Sequence, residues 1–129
     1  MRGAFIDHIT IEVADLERSR RFYEQALEPF GVRAIDSPNP DSGKPGVELG
    51  PERSEDFVIT PGEPATPIHV AFLAPDRAIV DAFHAAALRA GGTDNGPPGL
   101  RPKYHEHYYA AFVLDPDGNN VEAVCHDPA

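Results

Sequence analysis

Apolar and polar residues alternate over Phe5 to Val13 (FIDHITIEV), with Ile9, Ile11 and Val13 interleaved by His8, Thr10 and Glu12. That is the period-two pattern of a half-buried strand, and it puts His8 on one face with Thr10 and Glu12. Asp15 then stands where a helix N-cap belongs, and Leu16, Phe22, Tyr23, Ala26 and Leu27 form an apolar stripe that Pro29 and Gly31 end. Three short strands are expected next, Val32 to Asp36, Gly46 to Leu49 and Asp56 to Thr60, separated by a Pro- and Gly-rich loop and by Gly50-Pro51. The first half reads βαβββ.

The second half repeats the order. Pro67 to Ala74 reads as a strand and Asp76 as an N-cap, Ile79, Val80, Phe83, Ala87 and Ala90 form a helical stripe, and Gly91-Gly92 closes it. The Pro- and Gly-rich stretch from Gly91 to Pro102 reads as a loop. Tyr108 to Leu114 and Asn119 to His126 read as antiparallel strands joined by Asp115-Pro116-Asp117-Gly118, a sequence suited to a type I turn. Laying residues 8 to 31 over 69 to 92 matches His8 with His69, Asp15 with Asp76, Phe22 with Phe83, Ala26 with Ala87, Leu27 with Leu88 and Gly31 with Gly92. These identities fall at the structural punctuation points, which indicates an internal duplication within one domain. Module one covers about residues 1–62 and module two about 63–129.

Composition narrows the partners. With 11 Lys and Arg against 21 Asp and Glu the formal charge is −10, a field that repels polyanions and argues against nucleic acid. The lone Cys125 permits no internal disulfide, the first 30 residues carry no charged-then-apolar leader, and no apolar run reaches the roughly 20 residues of a membrane span. A cytoplasmic domain without membrane contact is expected. No nucleophile elbow, dinucleotide fingerprint or Walker loop occurs.

Asp7-His8-Ile9 opening a strand, Asp15-Leu16 followed by Arg21-Phe22-Tyr23, His69-Val70-Ala71 opening the second module, and AFVLDPDGNNVE ending in Glu122 together resemble the vicinal oxygen chelate superfamily. That superfamily includes glyoxalase I, extradiol dioxygenases, and bleomycin- and fosfomycin-resistance proteins. The resemblance implies an α+β fold of two tandem βαβββ modules whose curled mixed sheets form a metal or ligand cavity. It also implies one divalent ion held by His8, His69 and Glu122. Two imidazoles and one carboxylate suit Fe, Ni, Mn, Co or Zn with positions left for substrate. In glyoxalase I a further carboxylate comes from the last strand of module one, and Val58 occupies that place here. A fourth protein ligand would have to come from Glu48, Glu55 or Asp56 by a register shift.

Glu122 lies between Val121 and Ala123, a setting in which a carboxylate needs a cation or a hydrogen-bond partner. The segment from Arg101 to Tyr109 is the richest polar cluster. Placed at a cavity mouth, Arg101 and Tyr104 would bind an anionic or phenolic substrate, and His105 and Tyr108 would act with Glu122 as acid or base. His105 and His107 share a face if the segment is extended, a weak sign of a second metal. His84 and His126 read as surface groups and Cys125 as a buried or interface thiol.

Two functions are expected to compete. One is a metal-dependent lyase, isomerase or extradiol-type dioxygenase acting on a small substrate that chelates the ion through vicinal oxygens. The other is a metal-free binder conferring resistance to a bleomycin-type antibiotic, whose positive charge would suit an acidic protein. Open sheet edges favour a homodimer, with the cavity built either within one chain or across two.

Overall fold

A computed structural model describes residues 5–51 and 54–129. Module one contains β1 (Ile9–Val13), α1 (Leu16–Ala26), a 3-10 turn (Glu28–Phe30), β2 (Val32–Asp36), β3 (Val47–Pro51) and β4 (Phe57–Pro61). Module two contains β5 (His69–Leu73), α2 (Arg77–Arg89), β6 (Thr93–Leu100), β7 (Tyr109–Leu114) and β8 (Asn120–Cys125). Asp15 and Asp76 cap the helices, accepting from the N–H of Arg18 and of Ile79 at 3.1 and 3.0 Å.

The expected α+β architecture is present as two mixed four-stranded sheets ordered β1-β4-β3-β2 and β5-β8-β7-β6. In each, the first strand pairs in parallel with the last, and the duplication persists in the register. Thr10 sits opposite Val58 as Ala71 sits opposite Glu122.

Each sheet buries one face. Ile11, Val13, Phe57 and Ile59 from sheet one, and Val70, Phe72, Val121, Ala123 and Cys125 from sheet two, join the core formed with α1 and α2. Edge-to-face aromatic contacts carry this core between modules, Tyr23 to Phe57 at 5.0 Å, Phe57 to Phe72 at 5.4 Å and Phe72 to Phe30 at 6.2 Å. Such pairs add to simple area burial. By strand alternation the other faces carry Thr10, Glu48 and Val58 on sheet one, and His69, Ala71, Phe112, Glu122 and Val124 on sheet two.

β6 departs from the expected loop. Its sequence, TDNGPPGL, includes Pro97 and Pro98, but the strand lies at the sheet edge and its register with β7 shifts on either side of Gly96. An edge strand loses no ladder bond to a proline whose missing N–H would face outward, and bulges absorb the irregularity.

Close packing constrains Gly92, which follows α2. A Cβ there would lie 2.4 Å from Val113 Cγ1, 2.8 Å from Phe22 Cε1 and 2.9 Å from the Ala87 carbonyl oxygen. Gly92→Ala is expected to destabilise the fold by about 1–3 kcal/mol, measured by urea denaturation, because both modules would have to move apart.

The Asp115–Gly118 turn is gripped by module one. The Tyr23 hydroxyl donates to Asp115 at 2.5 Å and the Arg18 guanidinium to the Pro116 carbonyl at 3.1 Å. Gly118 takes φ +90°, which favours glycine. Burial, then the charge and hydrogen bond of Asp115, push the Tyr23 hydroxyl well above its usual range. A raised pKa in the folded state means stability that is complete below the unfolded value of about 10 and is lost as pH rises towards the folded one. Tyrosine absorbance should therefore show Tyr23 ionising only with alkaline unfolding, and Tyr23→Phe should remove its share of the alkaline stability loss.

Candidate metal and ligand site

Glu122 lies in the middle of β8 and is 1% exposed. Its two oxygens are both engaged: Oε1 lies 2.7 Å from His69 Nε2, and Oε2 accepts from the Tyr108 hydroxyl. His69 opens β5 beside β8, and Tyr108 immediately precedes β7, so three neighbouring segments of sheet two converge on one carboxylate. Desolvation, followed by the hydrogen bond and charge of Glu122, raises the Tyr108 hydroxyl. At neutral pH Tyr108 therefore keeps its proton and is a hydrogen-bond donor to Glu122.

His69 and Glu122 fit a divalent ion as a pair. An imidazole nitrogen and a carboxylate oxygen 2.7 Å apart are donor types that would hold such an ion between them. Half of the His69 side chain is exposed, so the pair can be reached from solvent.

His8 occupies the duplicate position, just before β1 on sheet one. Its Nδ1 lies 2.8 Å from Asp7. That hydrogen bond raises its affinity for a proton, burial opposes the shift, and the charges of Asp7, Glu55 and Glu48 add to it. No group of three or more His, Cys, Asp or Glu residues gathers around a common point among the described residues. Within one chain, His69 and Glu122 are brought together and His8 is not brought to them.

Glu48 points to the same face as Val58, its partner across the β3–β4 ladder, and the Ser37 hydroxyl donates to it at 2.6 Å. Glu48 lies beside Glu55, and the hydrogen bond between them lowers the pKa of Glu48 and raises that of Glu55. Of the carboxylates considered for a fourth ligand, Glu48 is the one carried by the sheet beside Val58.

The Arg101–Tyr108 segment folds as consecutive turns across the end of sheet two. Arg101 N–H donates to the Tyr108 carbonyl, Tyr104 N–H to Arg101 and Tyr108 N–H to His105. It is not extended, so the His105 and His107 rings do not pair. Instead, His105 Nδ1 accepts the backbone N–H of His107 and His105 Nε2 lies 2.9 Å from His126 Nδ1. Tyr108 packs between Tyr104, His105 and His126 at ring distances of 4.7, 5.5 and 5.4 Å. His126 is exposed, as expected of a surface group, and also belongs to this cluster. The period-two spacing from Glu122 through Val124 to His126 would have placed it on the Glu122 side.

The other expectations locate simply. His84 lies 2.9 Å from Asp94, tying α2 to β6, and Cys125 is buried. No helix among the described residues is long and apolar enough to cross a membrane. Two cavities of the chain lie away from these histidines: an open groove of about 780 Å³ along α2, and an apolar hollow of about 320 Å³ lined by Leu27, Phe30, Phe57 and Phe72.

A search of curated proteins returned no match. A solved glyoxalase/bleomycin resistance protein from Albidiferax ferrireducens T118 is 30% identical, with a TM-score of 0.78 over 96% of this chain and 100% of that one. The V278E mutant of glyoxalase I from Zea mays is 29% identical, with a TM-score of 0.67 over 92% of this chain but 45% of that longer one. A family enzyme from Burkholderia phytofirmans PsJN, at 20% identity and TM-score 0.70, shares the fold across 96% of this chain and all of its own. The superfamily profile matches residues 5–123, and the chain belongs to the Glyoxalase/Bleomycin resistance protein/Dioxygenase superfamily.

Proposed function

We propose that this protein is a metal-dependent enzyme acting on a small substrate that binds one divalent ion through neighbouring oxygens, with His8, His69 and Glu122 as ligands. The observation that carries the reading is the buried Glu122 carboxylate facing the half-exposed His69 imidazole. A histidine in the duplicate place on sheet one supports it. A divalent ion in such a donor set supplies Lewis-acid polarisation of bound oxygens.

The protein's residues divide the remaining work. Glu122 is ligand and proton carrier, since its second oxygen is already in contact with a hydroxyl. Tyr108 donates to that oxygen and fixes the carboxylate's orientation. His105, oriented by His126 and by the His107 N–H, serves as the acid or base at the mouth. Arg101 and Tyr104 hold the substrate. The reaction class this arrangement suits is a glyoxalase-like proton transfer by a lyase or isomerase, or, with iron, extradiol-type dioxygenation.

His8 reaches this site in a homodimer, where sheet one of one protomer faces sheet two of its partner. Each open sheet face carries half of the ligand set, and Ile35 and Leu73 are exposed hydrophobics on these faces. Covering such residues is a common gain of dimer formation. Within each chain the two modules form one domain, joined by their shared aromatic core.

A second reading has an observation of its own. Hydrogen bonds from His69 and Tyr108 already satisfy Glu122, as suits a metal-free binder of a bleomycin-type ligand. Elemental analysis separates the two. His69→Ala is expected to drop the divalent ion content from about one per chain to below about a tenth after dialysis against Fe, Ni, Mn, Co or Zn. A parent protein that takes up none of these ions supports the binder.

A further inference from the structure

The unexpected strand β6 and the arginine that follows it form one device. The Arg101 guanidinium lies against the Phe112 ring, 5.3 Å from its centroid, and donates to the Gly99 and Pro97 carbonyls at 2.8 and 2.7 Å. Bare backbone makes this seat possible. A Cβ on Gly96 would come within 3.2 Å of one guanidinium nitrogen and 2.9 Å of the Phe112 ring, and one on Gly99 within 3.2 Å of the other nitrogen.

Two of the five N–H groups of Arg101 are thus used on neutral carbonyls, and no carboxylate lies within 4.0 Å of it among the described residues. A half-buried guanidinium held in place without a counter-charge is prepared for an anion, because its remaining donors and its charge are unmatched. Phe112 pairs across the β7–β8 ladder with Glu122, and its ring lies 6.3 Å from that of His69.

We infer that Arg101 is a specificity-determining residue that selects small organic carboxylates, binding the carboxylate while the apolar body of the molecule lies beside Phe112 and its other end reaches the half-exposed His69 of the His69–Glu122 pair. This deepens the enzyme reading, on which the role of His69 and Glu122 rests. The carboxylate seat itself needs no metal.

The test uses EDTA-treated full-length protein, so that metal binding plays no part in its outcome. 4-Hydroxybenzoate and its neutral counterpart 4-hydroxybenzyl alcohol are titrated separately and followed by amide and Arg101 Nε–H resonances. The acid is expected to bind at least about tenfold more tightly and to shift Arg101 and Phe112, as a charge-assisted pair requires. Arg101→Gln is expected to bring the ratio of the two affinities to within about twofold of unity. A purely structural loss lowers both affinities and leaves their ratio. Equal affinity in the parent protein, or a ratio preserved in Arg101→Gln, overturns the inference. Inorganic phosphate competing as well as the acid overturns its restriction to carboxylates. Failure of the metal assignment would instead appear as absent ion uptake, with this ratio intact.

Discussion

A Glu122→Gln chain is expected to retain less than about a tenth of the metal bound by the parent protein under the same dialysis, while staying folded. The amide has nearly the shape of the carboxylate and can still meet His69 and Tyr108, which now contact its two oxygens. What it loses is the negative charge and one anionic donor. For a divalent ion these outweigh everything that the substitution preserves. A thermal midpoint close to that of the parent, with ion content lost, identifies Glu122 as a ligand. Undiminished ion content removes it from the ligand set. Because Glu122 is 1% exposed, Glu122→Ala is the less informative variant: it leaves a cavity and unpaired polar groups as well as removing the donor.

Asp115→Ala is expected to destabilise the fold by about 3–5 kcal/mol, a large part of the roughly 5–15 kcal/mol that usually separates native from unfolded chains. Asp115 is 5% exposed and accepts from the Tyr23 hydroxyl, the backbone N–H groups of Asp117 and Asn119, and the Asn119 side-chain amide. Its removal orphans donors that cannot reach water, and it releases module one from the turn of module two. A fall of about 10 °C or more in the thermal midpoint is expected. Asp115→Asn, which keeps one oxygen, should fall between the two. A change below about 1 kcal/mol in Asp115→Ala would show that the clasp is dispensable.

These two carboxylates illustrate what could be read from the chain before its structure. Asp115 was legible as a turn residue because Asp-Pro-Asp-Gly has local conformational preferences, but its bond to Tyr23, 92 residues away, depends on how modules pack. The apolar flanks of Glu122 announced a buried carboxylate, and duplication paired His8 with His69. The meeting of His69 with Glu122 required the parallel β5–β8 register, which alternation within single strands does not determine.

The misread elements have physical causes as well. β6 was hidden because glycine and proline are loop signals, whereas an edge strand with bulges tolerates both. Those same residues seat Arg101, so the local conflict with strand propensity coincides with a functional feature. His126 is a surface group as its position suggests, but its contact with His105 was not legible, because His105 comes from turns of the Arg101–Tyr108 segment and turn geometry does not follow from strand alternation.

The central claim, that one ion is held by His8 of one chain and by His69 and Glu122 of another, is tested most directly by mixing two deficient variants. His8→Ala and Glu122→Gln chains, each expected to bind little metal alone, are unfolded together in equal amounts, refolded and dialysed against the divalent ion that the parent retains. Sites shared between chains leave one intact site in each mixed dimer, so random pairing predicts recovery of about one ion per four chains. Recovery no greater than that of either variant alone would contradict a shared site.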